Sequence, residues 1–134
     1  MRSLKCLLLL ICLSLLVPLE ASASERSVKR FALVIGNQDY ADSPLKNALN
    51  DANAVANQLT DLGFSVTLVL NANLQTLSAE VTNFYQSLEN IENEKPLAVI
   101  YYAGHAIQIA HTNYLVPLNM TFNDIPQFTA GLYK

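Results

Sequence analysis

Residues 98–105 of the chain, with the sequence AVIYYAGH, place a histidine directly after an apolar run and a glycine. The run is typical of a buried strand, so His105 is predicted to follow the carboxyl end of that strand. Ligand-binding and catalytic residues of open α/β sheets lie at this end. Histidine is also the side chain best suited to move protons near neutral pH. His105 is therefore a candidate for proton exchange with a nucleophile.

The nucleophile itself is harder to find, because the only two cysteines, Cys6 and Cys12, lie near the N-terminus. Basic residues there precede an apolar run at 6–17, and Ala21-Ser22-Ala23 supplies a small-x-small motif. This order predicts a signal peptide at residues 1–23. The run is shorter than the ~20 residues that a membrane span needs. We therefore expect a periplasmic or secreted mature chain, 24–134, that has no cysteine.

Composition argues against several other classes of protein. The formal net charge is −3 and there is no basic patch, so nucleic acid is not an expected partner. Gly36 does not belong to a G-x-G-x-x-G motif, and neither a dinucleotide nor any other cofactor is expected. His105 and His111 form a weak metal-pair alternative, because no cysteine or closely placed acid accompanies them. We expect no metal, and no membrane association after removal of the leader.

The strands and helices that position His105 are predicted from apolar patterns, which alternate along the chain between strand and helix periodicity. Ser43 and Pro44 are suited to the N-cap and first turn of a helix, and Gly63 to its C-terminal end. Asn73 is suited to cap a second helix, whose apolar face is predicted to include Tyr85. In chain order the prediction is a strand at 31–35, a helix to 62, a strand at 64–70, a helix at 74–88, a strand at 97–103 and a hairpin of 107–109 with 114–116. This order predicts a parallel sheet with helices on its faces.

Three stretches carry a resemblance to a known family: ALVIGNQDY at 32–40, LKNALNDANAVANQLTDLGFSV at 45–66, and YYAGHAIQ with NYLVPLN within 101–119. Together they resemble the caspase-like cysteine peptidases of the metacaspase, paracaspase and bacterial caspase-homologue type. The resemblance implies a three-layer αβα fold with a mostly parallel sheet. Only its first half is expected in this chain, with three strands, two helices and a small hairpin. Residues 24–30 are then a flexible lead-in to a partial caspase-like domain at 31–134.

The resemblance also implies roles for individual residues. His105 matches the dyad histidine, which assists a cysteine thiol and then protonates the leaving amine. Ala106 stands where a backbone N–H donates to the oxyanion, at a position that is mostly glycine in the family. His111 stands near another family glycine, in the turn before the NYLVPLN stretch. Asp51 matches an acid that helps to bind Arg or Lys of the substrate; alternatively, it is a solvated helix residue.

The family's nucleophilic cysteine lies roughly 50 residues after the histidine, and the sequence ends at Lys134, before that distance. We therefore expect the N-terminal part of a secreted caspase-like cysteine endopeptidase that cleaves after Arg or Lys and is inactive without that cysteine. Its partner would be a peptide or protein substrate once a cysteine-bearing segment completes it. The alternative is a non-catalytic caspase-like binding or regulatory module.

Overall fold

A computed structural model describes residues 28–91 and 95–120 of the chain. The elements within these ranges are β1 (Arg30–Gly36), α1 (Ala48–Asp61), β2 (Ser65–Leu70), α2 (Leu74–Glu89), β3 (Leu97–Ala103), β4 (Ala106–Ile109) and β5 (Thr112–Leu115). The predicted order of elements is confirmed. The predicted leader, its cleavage site and both cysteines lie outside the described residues. Neither α1 nor α2 is long and apolar enough to cross a membrane.

The three longer strands form one parallel sheet in the order β2-β1-β3. β1 is central, and residues 32–35 are fully buried within it. A strand that is covered on both faces needs apolar side chains at successive positions, which explains its continuous apolar run. The central position of β1 also means that its end is bordered by the ends of both neighbouring strands.

The two helices cover opposite faces of this sheet. Side chains alternate along β1, so Ala32 and Val34 pack with buried alanines of α1, whereas Leu33 and Ile35 pack with α2. The α2 residues in that core are Leu77, Val81 and Phe84. Tyr85, predicted on the same apolar face, is mostly exposed, and that prediction is wrong. The result is a three-layer αβα arrangement, as predicted.

The start of α1 differs from the prediction. The helix begins at Ala48, its N-cap position is Asn47, and the Asn47 side chain makes no capping hydrogen bond. Ser43 and Pro44 lie in a preceding loop, because contacts from elsewhere hold this segment outside the helix. The Leu45 N–H donates to the Gln38 carbonyl over 2.9 Å, and the Ser43 carbonyl contacts His105.

Two other helix-end predictions are confirmed. Gly63 follows α1 with a left-handed φ of 79°, a conformation that glycine adopts without a steric cost. The Asn73 side-chain oxygen accepts a hydrogen bond from the Thr76 N–H over 2.9 Å and so caps α2. These local signals set the end of α1 and the start of α2.

β4 and β5 form an antiparallel hairpin, as predicted, but β5 begins at Thr112, two residues earlier than predicted, and ends at Leu115. The turn is therefore the two-residue Ala110-His111. Both turn residues have left-handed φ values, 46° and 64°. A two-residue hairpin turn of this kind requires positive φ at both positions and favours Asn and Gly there. The backbone at His111 thus has the geometry for which glycine is best suited.

Candidate active site

The carboxyl ends of β1, β2 and β3 meet at one edge of the sheet, and His105 lies there, two residues beyond the end of β3. The segments that follow the strands are bonded to each other at this edge. The Asn37 N–H, just after β1, donates to the Ala103 carbonyl over 2.8 Å. The Asn71 N–H, just after β2, donates to the Gly36 carbonyl over 2.7 Å. The predicted placement of His105 at a strand end is confirmed.

The imidazole of His105 is held from two sides. Its Nε2 lies 2.8 Å from the Ser43 carbonyl oxygen, and its ring centroid lies 4.5 Å from that of Tyr40 at an interplanar angle of 55°. A carbonyl oxygen only accepts hydrogen bonds, so Nε2 must carry a proton. In the neutral ring Nδ1 is then the basic nitrogen. This tautomer can take a proton from a nucleophile at Nδ1.

The backbone of His105 is held as well, by two tyrosines. Its N–H donates to the Tyr40 hydroxyl over 3.0 Å, and its carbonyl lies 3.1 Å from the Tyr102 hydroxyl. The sequence patterns single out neither Tyr40 nor Tyr102 for a role at this site. No sequence pattern points to these contacts, because Tyr40 and His105 are separated by 65 positions.

Ala106 presents its backbone N–H outward. The Val116 N–H donates to the His105 carbonyl over 2.9 Å, so His105 and Val116 form a hydrogen-bonded pair that extends the β4–β5 ladder. In an antiparallel ladder the next pair, Ala106 with Leu115, is non-hydrogen-bonded, and its N–H groups point away from the partner strand. Ala106 lies in extended β4 without left-handed backbone, so alanine is compatible with this geometry.

Asp51 lies in the first turn of α1 and is exposed. It also lines an open cleft of about 470 Å³ between the start of α1 and the end of β3. The cleft is lined by Leu45, Lys46, Asn47, Ala48, Asp51 and residues 101–104. The exposure of Asp51 fits a solvated helix residue. The same cleft, however, is also lined by residues 101–104, which directly precede His105. Its role in substrate binding stays a prediction.

The structure does not bring His105 and His111 together as a metal pair. His111 lies at the turn of the hairpin, at the opposite end of β4 from His105. Four strand residues separate the two histidines, and a strand rises roughly 3.4 Å per residue. Within residues 28–91 and 95–120, no three His, Cys, Asp or Glu side chains form a group that could hold a metal ion.

A parallel sheet with helices on both faces, and a histidine just beyond the strand β3, is the arrangement expected of a caspase-like peptidase. The family model of the caspase domain matches residues 29–130, which is well over half of the chain. The chain belongs to the caspase domain family. No curated protein matches the sequence. The predicted membership of the caspase-like family and the predicted fold class are thereby confirmed.

Proposed function

We propose that this chain supplies the catalytic histidine and the substrate cleft of a secreted cysteine endopeptidase that cleaves after Arg or Lys. The hydrogen bond from His105 Nε2 to the Ser43 carbonyl carries the proposal, because it assigns the basic lone pair to Nδ1. A base that is oriented in this way is what an attacking thiol requires. The outward N–H of Ala106 supplies a neighbouring donor for an oxyanion.

The reaction proceeds in two stages. Nδ1 of His105 takes the thiol proton, the thiolate attacks the scissile carbonyl carbon, and the carbonyl oxygen becomes an oxyanion that accepts from the Ala106 N–H. The C–N bond then breaks while the imidazolium gives its proton to the leaving amine. In the second stage Nδ1 takes a proton from water and the water oxygen attacks the thioester carbonyl carbon. The C–S bond then breaks, the carboxylic acid product leaves, and the imidazolium returns its proton to the thiolate.

The thiol must come from a cysteine outside residues 24–134, because these residues contain none. We propose that a polypeptide of residues 24–134 alone does not hydrolyse peptides and that a cysteine-bearing segment completes the site. The same observation favours the second candidate function, a non-catalytic caspase-like module that binds peptides or partner proteins. Adding a cysteine-bearing segment distinguishes the two candidate functions, because only a peptidase would then hydrolyse peptides.

Asp51 is proposed to bind the cationic side chain of the substrate. Its carboxylate lines the cleft beside β3, where a substrate that approaches His105 would lie. A charge-assisted hydrogen bond with Arg or Lys contributes about 1.5–3 kcal/mol. Lys46 lines the same cleft and would oppose binding of a second basic residue nearby.

Peptide hydrolysis by a form that carries the cysteine tests the proposal. His105→Ala should abolish turnover of Arg- and Lys-terminated reporter peptides. Asp51→Asn should lower kcat/KM on these peptides by about 10- to 100-fold. The matched control is Asp61→Asn, which removes an exposed carboxylate from the other end of α1 and should leave kcat/KM unchanged.

Two results would contradict the proposal. Turnover that survives His105→Ala would remove this histidine from catalysis. Unchanged kcat/KM in Asp51→Asn would assign Asp51 to the solvated surface. Without the cysteine, residues 24–134 should show no turnover and no labelling by thiol-directed probes.

Export is proposed from the leader pattern and has its own test. N-terminal sequencing of the exported protein should begin at Ser24, because the small-x-small motif ends at Ala23. Membrane-bound material that still begins at Met1 would show that the leader is retained as an anchor.

A further inference from the structure

We infer that the hydroxyl groups of Tyr40 and Tyr102 are positioning groups that hold the backbone of His105 against the Val116 carbonyl and thereby aim its imidazole. The consequence for catalysis rests on the proposed function of His105, whereas the hydrogen bonds of the two hydroxyls are independent of that function. We call the two hydroxyls together with the Val116 carbonyl the tyrosine clamp. It joins the loop after β1, the end of β3 and the segment after β5.

The first half of the clamp is Tyr40, which is almost fully buried. Its hydroxyl accepts from the His105 N–H at 3.0 Å and lies 2.9 Å from the Val116 carbonyl oxygen. Its ring packs against the imidazole at a centroid distance of 4.5 Å. One side chain therefore restrains both the backbone and the ring of His105.

The second half is Tyr102, whose hydroxyl lies 2.8 Å from the Val116 carbonyl, 3.1 Å from the His105 carbonyl and 3.1 Å from the Tyr40 hydroxyl. Each phenol has a single proton, and the neighbouring carbonyls only accept. Both phenols must therefore stay neutral to donate. Burial, followed by the hydrogen bond to Tyr40, raises the pKa of the Tyr102 hydroxyl far above its ordinary value, so that it remains a donor.

Gly104 shows how closely the clamp surrounds the chain before His105. A Cβ atom at this position would lie 2.5 Å from the Tyr102 hydroxyl oxygen and 2.8 Å from that of Tyr40. Real Cβ atoms do not approach other atoms so closely, so any side chain here would displace both hydroxyls. Glycine is needed at this position for space, since its φ is not left-handed.

NMR of the full chain tests the clamp without any need for peptidase activity. Tyr40→Phe and Tyr102→Phe remove only hydroxyl groups, and Tyr85→Phe does the same on the exposed side of α2 as a control. We expect the His105 N–H to exchange with solvent about 2- to 10-fold faster in Tyr40→Phe. The ¹⁵N shifts of its ring should also move in both variants. His111, the only other histidine, serves as an internal reference and should not move.

Equal exchange rates and ring shifts of His105 in Tyr40→Phe, Tyr102→Phe and Tyr85→Phe would overturn the proposal. If a variant does not fold, the test uses the unsubstituted protein. Nuclear Overhauser effects from the Tyr40 and Tyr102 hydroxyl protons are then measured. Contacts between the Tyr40 hydroxyl proton and the His105 N–H support the clamp. Hydroxyl protons that exchange too fast to be seen in the folded protein would overturn it.

The catalytic consequence is measured separately on the cysteine-bearing form. Both Phe variants should lower kcat about 10-fold with little change in KM, because a displaced base affects the chemical step more than binding. Unchanged kcat would overturn the positioning role. A change in the His105 signals in a protein without any peptidase activity would support the clamp and count against the proposed function instead.

Discussion

Replacement of Asn37 should destabilise the protein strongly, because this buried amide joins the ends of β1 and β2. Its Oδ1 accepts from the Ala72 N–H over 2.8 Å, and its Nδ2 donates to the Ala72 carbonyl over 3.1 Å. Asn37 is fully buried and Ala72 is 1% exposed, so water cannot replace these hydrogen bonds. The Ala72 carbonyl also accepts from the Leu118 N–H at 2.9 Å and keeps a donor when the amide is removed.

Asn37→Ala therefore leaves one buried donor, the Ala72 N–H, without its acceptor, which costs about 1–3 kcal/mol. Loss of the second hydrogen bond adds about 0.5–1.5 kcal/mol. The expected fall in the free energy of unfolding is therefore about 1.5–4.5 kcal/mol. With a urea dependence of about 2 kcal/mol/M, the unfolding midpoint should fall by about 1–2 M.

Urea unfolding followed by circular dichroism measures this shift. The control is Asn53→Ala, which removes an exposed amide that bonds the Leu49 carbonyl within α1 over 2.7 Å. That change should stay within about 0.5 kcal/mol. If the free energies of unfolding of the two variants agree within about 0.5 kcal/mol, the buried Asn37 amide does not hold the strand ends together.

Three other changes should alter stability in directions set by the structure. His111→Gly should raise the free energy of unfolding by about 1 kcal/mol and increase Tm, because glycine tolerates the φ of 64°; a lower Tm would argue against this strain. Gly36→Ala should cost about 1–3 kcal/mol, since its Cβ would lie 2.7 Å from that of Ala52; an unchanged urea midpoint would contradict that close contact. The raised pKa of Tyr102 adds stability that is complete below its unfolded pKa of about 10 and is lost as pH rises above it. Tyr102→Phe should flatten this alkaline loss in unfolding curves from about pH 9 to 11, and an unchanged slope would exclude Tyr102 as its cause.

The elements of the fold were predictable because each is encoded by neighbouring residues. The continuous apolar run of β1 reflects burial on both faces of a parallel strand, and the three- and four-residue spacing on α1 and α2 reflects one buried helix face. Asn73 and Gly63 act on the backbone within a few residues of themselves, so these two helix-end signals are confirmed. The position of His105 at a strand end followed from the same local pattern. Its catalytic role, and those of Ala106 and Asp51, stay predictions.

Only the tertiary structure decided the features that depend on residues far apart in the chain. Ser43 and Pro44 have the local character of a helix start, but the contacts of their loop with Gln38 and His105 keep them outside α1. Tyr40, Tyr102 and Val116 meet only because β1 pairs with β3 and the β4–β5 hairpin returns the chain to the same edge. Periodicity shows which face of an element is buried, and it carries no information on which hydroxyl and carbonyl groups that burial brings together.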